Sequence, residues 1–320
     1  MTMKNQQSST VTLPMIEVEK DFELKLKMLG TGNSFSTSEH KGHSRGVIRA
    51  DETLILIDAG EGTTSYLKGY DFTGIEHVMF CVTHLHPDHA QELLSSIFEL
   101  LFNSSVEITV FSDMDIIGTG DDGIVGYLKL QGFNEEFVKQ YPEEKKRIKF
   151  LSARSLFPVE QYELTDAVYV SSFRQDHGII DACGFVFIHF DTKTKMYDVI
   201  VYSGDTNNTA RLKMRLNDIY KLKPNIRNLT IFHEASVSDE YSKVHTNIND
   251  VVDLAFSLEF DNHSDLNYCM YLYHLPDTIT KTSEIRDYLG CKQEYKFDSM
   301  DMHKFKIAKK YTDIKYNIII

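Results

Sequence analysis

The sequence has no tryptophan, only four cysteines, and no apolar run near the roughly 20 residues that a membrane-spanning helix requires. The cysteines (Cys81, Cys183, Cys269 and Cys291) are widely spaced with no C-x-x-C pair, which argues against a disulfide framework. Three of them lie in apolar runs and read as buried free thiols in a reducing cytoplasm. The opening "MTMKNQQSSTVTLP" has one lysine and no apolar segment, so it does not read as a secretory signal; residues 1–20 are expected to form a flexible polar tail. Basic excess is lacking too. Lys and Arg number 34 against 47 Asp and Glu, a net charge of −13. A protein that grips a long polyanion usually presents a basic face. The small clusters "PEEKKRIKF" (142–150) and "KIAKKY" (306–311) read as solvated surface, and the balance argues against extended nucleic acid as a partner.

What is present is an alternation of short β-like runs and helical stretches. Strands are expected at 22–29, 46–50, 53–58, 77–83 and 107–111, with turns such as "GTG" and "DAGEG" between them. A helix is expected at 91–102, and the stretch 122–141 also has a helical pattern. The second half repeats the theme: strands at 167–173, 183–190, 198–203, 229–233 and 268–273, helices at 208–221, 249–259 and 278–288. Two sheets with helices outside follow from this order, an α/β (α+β) class within one domain over 21–320. The most irregular stretch, about 113–165, reads as an insertion on that domain.

"CVTHLHPDHAQ" (81–91) puts three histidines and an aspartate into six positions directly after an apolar run. His84 and His86 are two apart, so at a strand end they point the same way. Pro87 stops the strand, and Asp88 and His89 open the next helix. Neutral imidazole and carboxylate suit Zn²⁺, with Mn²⁺ or Fe²⁺ as alternatives, and this spacing could address two adjacent cations. Three further strand ends each offer one ligand-type residue: His177 in "RQDHGIIDACGF", Asp205 in "VIVYSGDTNN" and His274 in "CMYLYHLPD". Singly, each has a structural alternative. Asp205 could cap a helix, and His274 could sit on the surface. Their recurrence at strand ends is what carries weight.

These motifs resemble the metallo-β-lactamase superfamily of binuclear metal hydrolases, over about residues 22–276. The "LGTGNS" (29–34), "LIDAGEGT" (56–63), "FHEAS" (232–236) and "KVHTN" (243–247) segments look most like its tRNase Z-like phosphodiesterases. The resemblance implies an αββα sandwich of two mixed sheets flanked by helices, with two Zn²⁺ at their shared edge. It implies His84, His86 and His177 on one metal, Asp88, His89 and His274 on the other, and Asp205 between them. Asp58 would support these ligands from behind. Asp88, Glu234 and His245 are the expected catalytic residues, the last two as a proton-donating pair; the plain alternative for that pair is a surface salt bridge. His233 would face the other way along its strand and is taken as packing. His40, His43 and Arg45 lie on a loop that could face a substrate phosphate. Two metals about 3.5–4 Å apart could hold a bridging water as hydroxide and clamp phosphate oxygens, which is phosphodiester hydrolysis.

The sequence also departs from tRNase Z. Those enzymes insert a long tRNA-gripping arm between the third-motif histidine and the Gly-Asp-Thr aspartate. Here only residues 178–204 separate His177 from Asp205, enough for two strands and a turn. The loop after "GTG" lacks the expected Pro and Arg-Asn pattern, and "HTN" replaces His-Ser-Thr. The extra length lies instead between His89 and His177, where it could form a lid or a homodimer contact. The expected substrate is therefore a small phosphodiester, most of all a cyclic nucleotide opened to its monophosphate, as in the cyclic-nucleotide phosphodiesterases and anti-Pycsar enzymes that this chain resembles. An RNA 3′-processing nuclease is the alternative; a lactone or thioester hydrolase has no use for the Glu234 and His245 pair. No substrate-binding residue is assigned.

Overall fold

The computed structural model describes residues 24–36, 41–118, 121–152, 162–165, 168–220, 225–236, 243–260, 268–275 and 305–307. In chain order the elements are β1 (Leu26–Gly30), β2 (Arg45–Ala50), β3 (Thr53–Ile57), α1 (Thr63–Lys68), β4 (His77–Cys81), α2 (Pro87–Ala90), α3 (Leu93–Asn103), β5 (Glu107–Ser112), α4 (Met114–Ile117), α5 (Gly123–Leu130), α6 (Glu135–Gln140), α7 (Pro142–Lys146), β6 (Ile148–Ser152), β7 (Tyr162–Thr165), β8 (Val168–His177), β9 (Ile180–Asp191), β10 (Met196–Tyr202), α8 (Ala210–Tyr220), β11 (Ile226–Glu234), α9 (Ile248–Phe260), β12 (Tyr268–Tyr273) and β13 (Phe305–Ile307).

The first sheet runs β1-β2-β3-β4-β5-β6 and the second β13-β12-β11-β10-β9-β8-β7. Both are mixed. In the first, β3 to β6 are parallel and β1 and β2 antiparallel. In the second, β10 to β13 are parallel and β7 to β9 join through antiparallel pairs. β3, "TLILI", is buried at every position, as a parallel strand covered on both faces must be.

Alternation along β9 sorts the two cores. Phe185 and Phe187 join the cluster that contains the first sheet, while Val186 and Ile188 pack on the other side. That outer face is covered by Leu212, Leu216 and Ile219 of α8 and by Val251, Val252, Leu254 and Ala255 of α9. Leu67 of α1 and Leu93, Leu94, Ile97 and Leu100 of α3 pack with the first sheet. The layers are helix, sheet, sheet, helix.

Several boundaries differ from the sequence reading for physical reasons. β3 ends at Ile57 because Asp58 takes φ 61°. The helical stretch 122–141 is interrupted at Gly132, φ 118°, into α5 and α6. Among the described residues, the irregular 113–165 stretch carries four short helices, β6 at the edge of the first sheet and β7 at the edge of the second. Arg147, read as solvated surface, instead donates to the carbonyls of Leu100, Leu101 and Val106 at 2.7–3.3 Å and closes the C-terminal end of α3. The helix expected at 278–288, the tail 1–20, His40 and Cys291 lie outside the described residues. Cys81 and Cys183 are buried and free, and Cys269 is half-buried and free. Among the described residues no helix is long and apolar enough to cross a membrane. Between His177 and Asp205 stands the regular β9–β10 hairpin and nothing more, with register running from Met196 opposite Asp191 to Tyr202 opposite Phe185.

Candidate metal centre

The carboxyl ends of β3, β4, β8, β10, β11 and β12 meet at one edge of the sandwich, the place where open parallel sheets present their loops. Each delivers one part of the site. Asp58 follows β3, His84 to His89 follow β4, His177 ends β8, Asp205 follows β10, Glu234 ends β11 and His274 follows β12. Two of these residues, Asp58 and His274, hold left-handed backbone (φ 61° and 63°), strain that a non-glycine residue keeps only where its surroundings fix it. Glycines allow the close approaches. A Cβ on Gly60 would lie 2.0 Å from the carbonyl oxygen of Asp88, and one on Gly204 would lie 2.3 Å from that of Cys183.

His84, His86 and His177 form one cluster. Nδ1 of His86 lies 2.9 Å from Nε2 of His84 and 3.1 Å from Nε2 of His177. The outer nitrogens fix the tautomers. Nδ1 of His177 faces the carbonyl of Val244 at 2.6 Å and must donate to it. Thr83 Oγ1 lies 2.9 and 3.0 Å from the two Asp58 oxygens, to which its proton goes, so Nδ1 of His84 donates to Thr83 at 3.0 Å. The inward Nε2 atoms of His84 and His177 are therefore lone pairs. Burial pulls the pKa of all three imidazoles down, which keeps them neutral and able to ligate.

Asp88, His89 and His274 form the second cluster. Oδ2 of Asp88 lies 3.4 Å from Nε2 of His89 and 3.6 Å from Nε2 of His274. Nδ1 of His89 is 2.8 Å from Asp58, which again turns Nε2 inward. Burial alone would lower His89, but Asp205, Asp58 and Asp88 around it outweigh burial and raise it. The reverse holds for Asp88: burial pushes its carboxyl up, and His89 and His274 hold it well below the usual carboxylate range.

Asp205 joins the clusters. Its Oδ2 is 3.4 Å from His89, 3.4 Å from His274, 3.6 Å from His245 and 4.0 Å from His84. The helix-cap alternative does not hold, because Asn208 Oδ1, not Asp205, accepts from the N–H of Ala210 at the start of α8. His89 Nε2, His274 Nε2 and Asp205 Oδ1 are buried without a hydrogen-bond partner, a costly arrangement unless a cation completes it. Four sets of three or four donors, drawn from these residues with Glu234 and His245, bring their atoms within 4.8 Å of one another. Imidazole lone pairs and ionised carboxylates aimed at shared points fit divalent cations of the zinc, manganese or iron kind.

Glu234 is fully buried, so the surface salt-bridge alternative fails. Its Oε1 accepts from the N–H groups of Thr206 at 3.2 Å and Thr246 at 2.8 Å, and its Oε2 lies 3.3 Å from Nδ1 of His245. Burial works to lower His245, but Glu234 and Asp205 prevail and it is pushed up to about 9. His233 is buried on the opposite side of β11, its Nδ1 turned to the Glu234 carbonyl. Arg45 is buried too and donates to the carbonyl of His43 at 3.3 Å. Sequence reasoning missed Thr83, Val244 and Thr246. Thr83 lies inside the histidine motif, and Val244 and Thr246 flank His245 in the "KVHTN" segment, where they act through backbone atoms.

This layering places the chain among metallo-β-lactamase-fold proteins. It superposes on yeast PDE1 with a TM-score of 0.59 at 14% identity, covering 88% of this chain and 96% of that one. The metallo-β-lactamase fold protein YhfI from Bacillus subtilis matches with a TM-score of 0.56 at 15% identity, over 90% and 97% of the two chains. Residues 24–295 match the family described as anti-Pycsar protein Apyc1, and the chain belongs to that family. A ribonuclease Z from Methanococcus aeolicus is 30% identical over 106 residues, 32% of this chain and about a third (33%) of that relative's length.

Proposed function

We propose that the protein is a binuclear metal-dependent phosphodiesterase whose substrate is a small phosphodiester, a cyclic nucleotide above all. The observation that carries this reading is Asp205 Oδ2, set within 3.4–4.0 Å of His84, His89 and His274 between two histidine-rich clusters. In this reading His84, His86 and His177 hold one cation, Asp88, His89 and His274 the other, and Asp205 both, with zinc the first candidate. Bound there, the cations supply a water acidic enough to serve as hydroxide near neutral pH and a clamp for phosphate oxygens. Asp58 and Thr83 keep the ligating imidazoles in their tautomers. As the ring P–O bond breaks, the leaving ribose oxygen takes a proton from His245, which Glu234 orients. Membership in the anti-Pycsar family and the β9–β10 hairpin in place of a tRNA-gripping arm support a small substrate.

The ribonuclease Z match supports a second reading, RNA 3′ processing. The two separate in one assay: 3′,5′- and 2′,3′-cyclic nucleotides, bis(p-nitrophenyl) phosphate, a lactone and a precursor tRNA, with Zn²⁺ or Mn²⁺ at one salt concentration. A cyclic nucleotide is expected to show the highest kcat/KM. Efficient, site-specific trimming of the tRNA with cyclic nucleotides untouched overturns the first reading in favour of the second.

A further inference from the structure

His43 is an imidazole beside the site with no part in the chemistry above. It lies on the segment between β1 and β2, and its backbone is held from two sides. Gly32 pairs with it in an isolated bridge, and Arg45 donates to its carbonyl. The segment is tied to the metal centre itself: the N–H of His274 donates to the carbonyl of Thr31 at 2.8 Å, and Thr31 in turn donates to Lys41 at 3.1 Å. On its other side His43 packs at Gly60. The point where a Gly60 Cβ would stand is 2.9 Å from His43 Cβ and 2.0 Å from the carbonyl oxygen of Asp88. The His43 side chain thus lies beside Gly60, which itself abuts the Asp88 turn, and it interacts electrostatically with Asp88.

The N–H of Glu61 donates to Nδ1 of His43 at 3.3 Å. An imidazole nitrogen that accepts a hydrogen bond carries no proton, so the proton is on Nε2, at the other edge of the ring. His43 is half-buried, and Nε2 has no hydrogen-bond partner among the described residues. The result is a neutral N–H donor in a locked ring, on the Asp88 side of the centre. His245 packs at Asp205, its ring centroid 4.7 Å from that of His274 and 5.3 Å from that of His177. A phosphodiester held at the centre needs donors for its non-bridging oxygens, which gain negative charge as the P–O bond breaks.

We infer that His43 is a substrate-positioning residue whose Nε2–H donates to a non-bridging phosphate oxygen of the bound phosphodiester. This rests on the phosphodiesterase reading. It also makes the GTG segment a recognition element, because the contacts that seat His274 seat His43 as well.

Two substitutions separate this role from a structural one. In His43→Asn the amide oxygen takes the place of Nδ1 and keeps the Glu61 contact, but the far donor is gone. In His43→Gln the amide N–H reaches the place of Nε2. The metal-loaded full chain is titrated calorimetrically with inorganic phosphate, and bis(p-nitrophenyl) phosphate hydrolysis is followed in parallel. Metal content is expected to match wild type in both variants. The Asn variant is expected to bind phosphate about tenfold more weakly and to lose a similar factor in kcat/KM, as removal of one hydrogen bond to a charged group implies; the Gln variant is expected to recover most of both. Wild-type phosphate affinity in the Asn variant overturns the proposal. So does loss of metal in both variants, which makes His43 a support of the Asp88 turn. Failure of the wild-type protein to cleave any phosphodiester, with phosphate binding still dependent on His43, counts against the phosphodiesterase reading and leaves the phosphate contact standing.

Discussion

His89 is buried among three carboxylates, with one nitrogen committed to Asp58 and the other facing Asp88 and Asp205. That division of one ring between a supporting partner and the centre recurs at His84 and His177, whose outer nitrogens carry the proton and leave Nε2 as a lone pair. His245 differs. Its Nδ1 faces the Glu234 carboxylate and Asp205, which together favour the protonated ring. His245→Ala is therefore expected to leave metal content intact and to slow cleavage of a cyclic nucleotide about 10²–10⁴-fold. A p-nitrophenyl ester, whose leaving group needs no proton, is expected to lose far less. Steady-state kinetics on both substrates check this, and equal losses contradict proton donation by His245. At this scale much was legible in the sequence. The "THLHPDH" run names four donors at once, and His177, Asp205 and His274 each stand at or just past the end of an apolar strand. What could not be read is any contact made through a backbone atom, such as the Val244 carbonyl on His177.

The DAGEG turn between β3 and α1 is the element on which the centre leans. Asp58 donates its N–H to Cys81, Ala59 donates to His89, and the N–H of Glu92 returns to Ala59, so the turn and the histidine motif are laced together. Glu92 also accepts from the N–H groups of Gly62 and Thr64 at the start of α1. Gly60 sits where no Cβ fits. Gly60→Ala is expected to push the Asp88 backbone away, to cost about 1–3 kcal/mol of stability and to reduce metal retention. Thermal unfolding and metal analysis test it; wild-type Tm and metal content together contradict it. Element type was legible wherever an apolar run was long, as in β3, β4, β9 and β10. β6 was missed because its "IKFLS" is short, is interrupted by Lys149 and runs on directly from the charged end of α7. Helix breaks at Gly132 were missed because amphipathic spacing continues across them.

For the whole molecule, the sandwich brings strand ends that are far apart in sequence to one edge, and every candidate donor lies at that edge. The order of strands and helices announced two covered sheets, but the pairing of β3 to β6 and of β10 to β13 into parallel blocks is set by tertiary packing and is not written in any local pattern. The centre's claim on metal is the point on which the rest depends. Buried carboxylates and inward lone pairs at this density need positive charge between them. The most direct test is metal analysis of the purified full chain, followed by chelation and reloading with Zn²⁺ or Mn²⁺ while phosphodiester hydrolysis is measured. About two transition-metal ions per chain, activity lost on chelation and restored on reloading, is the expected result. Full hydrolysis by metal-free protein contradicts the account.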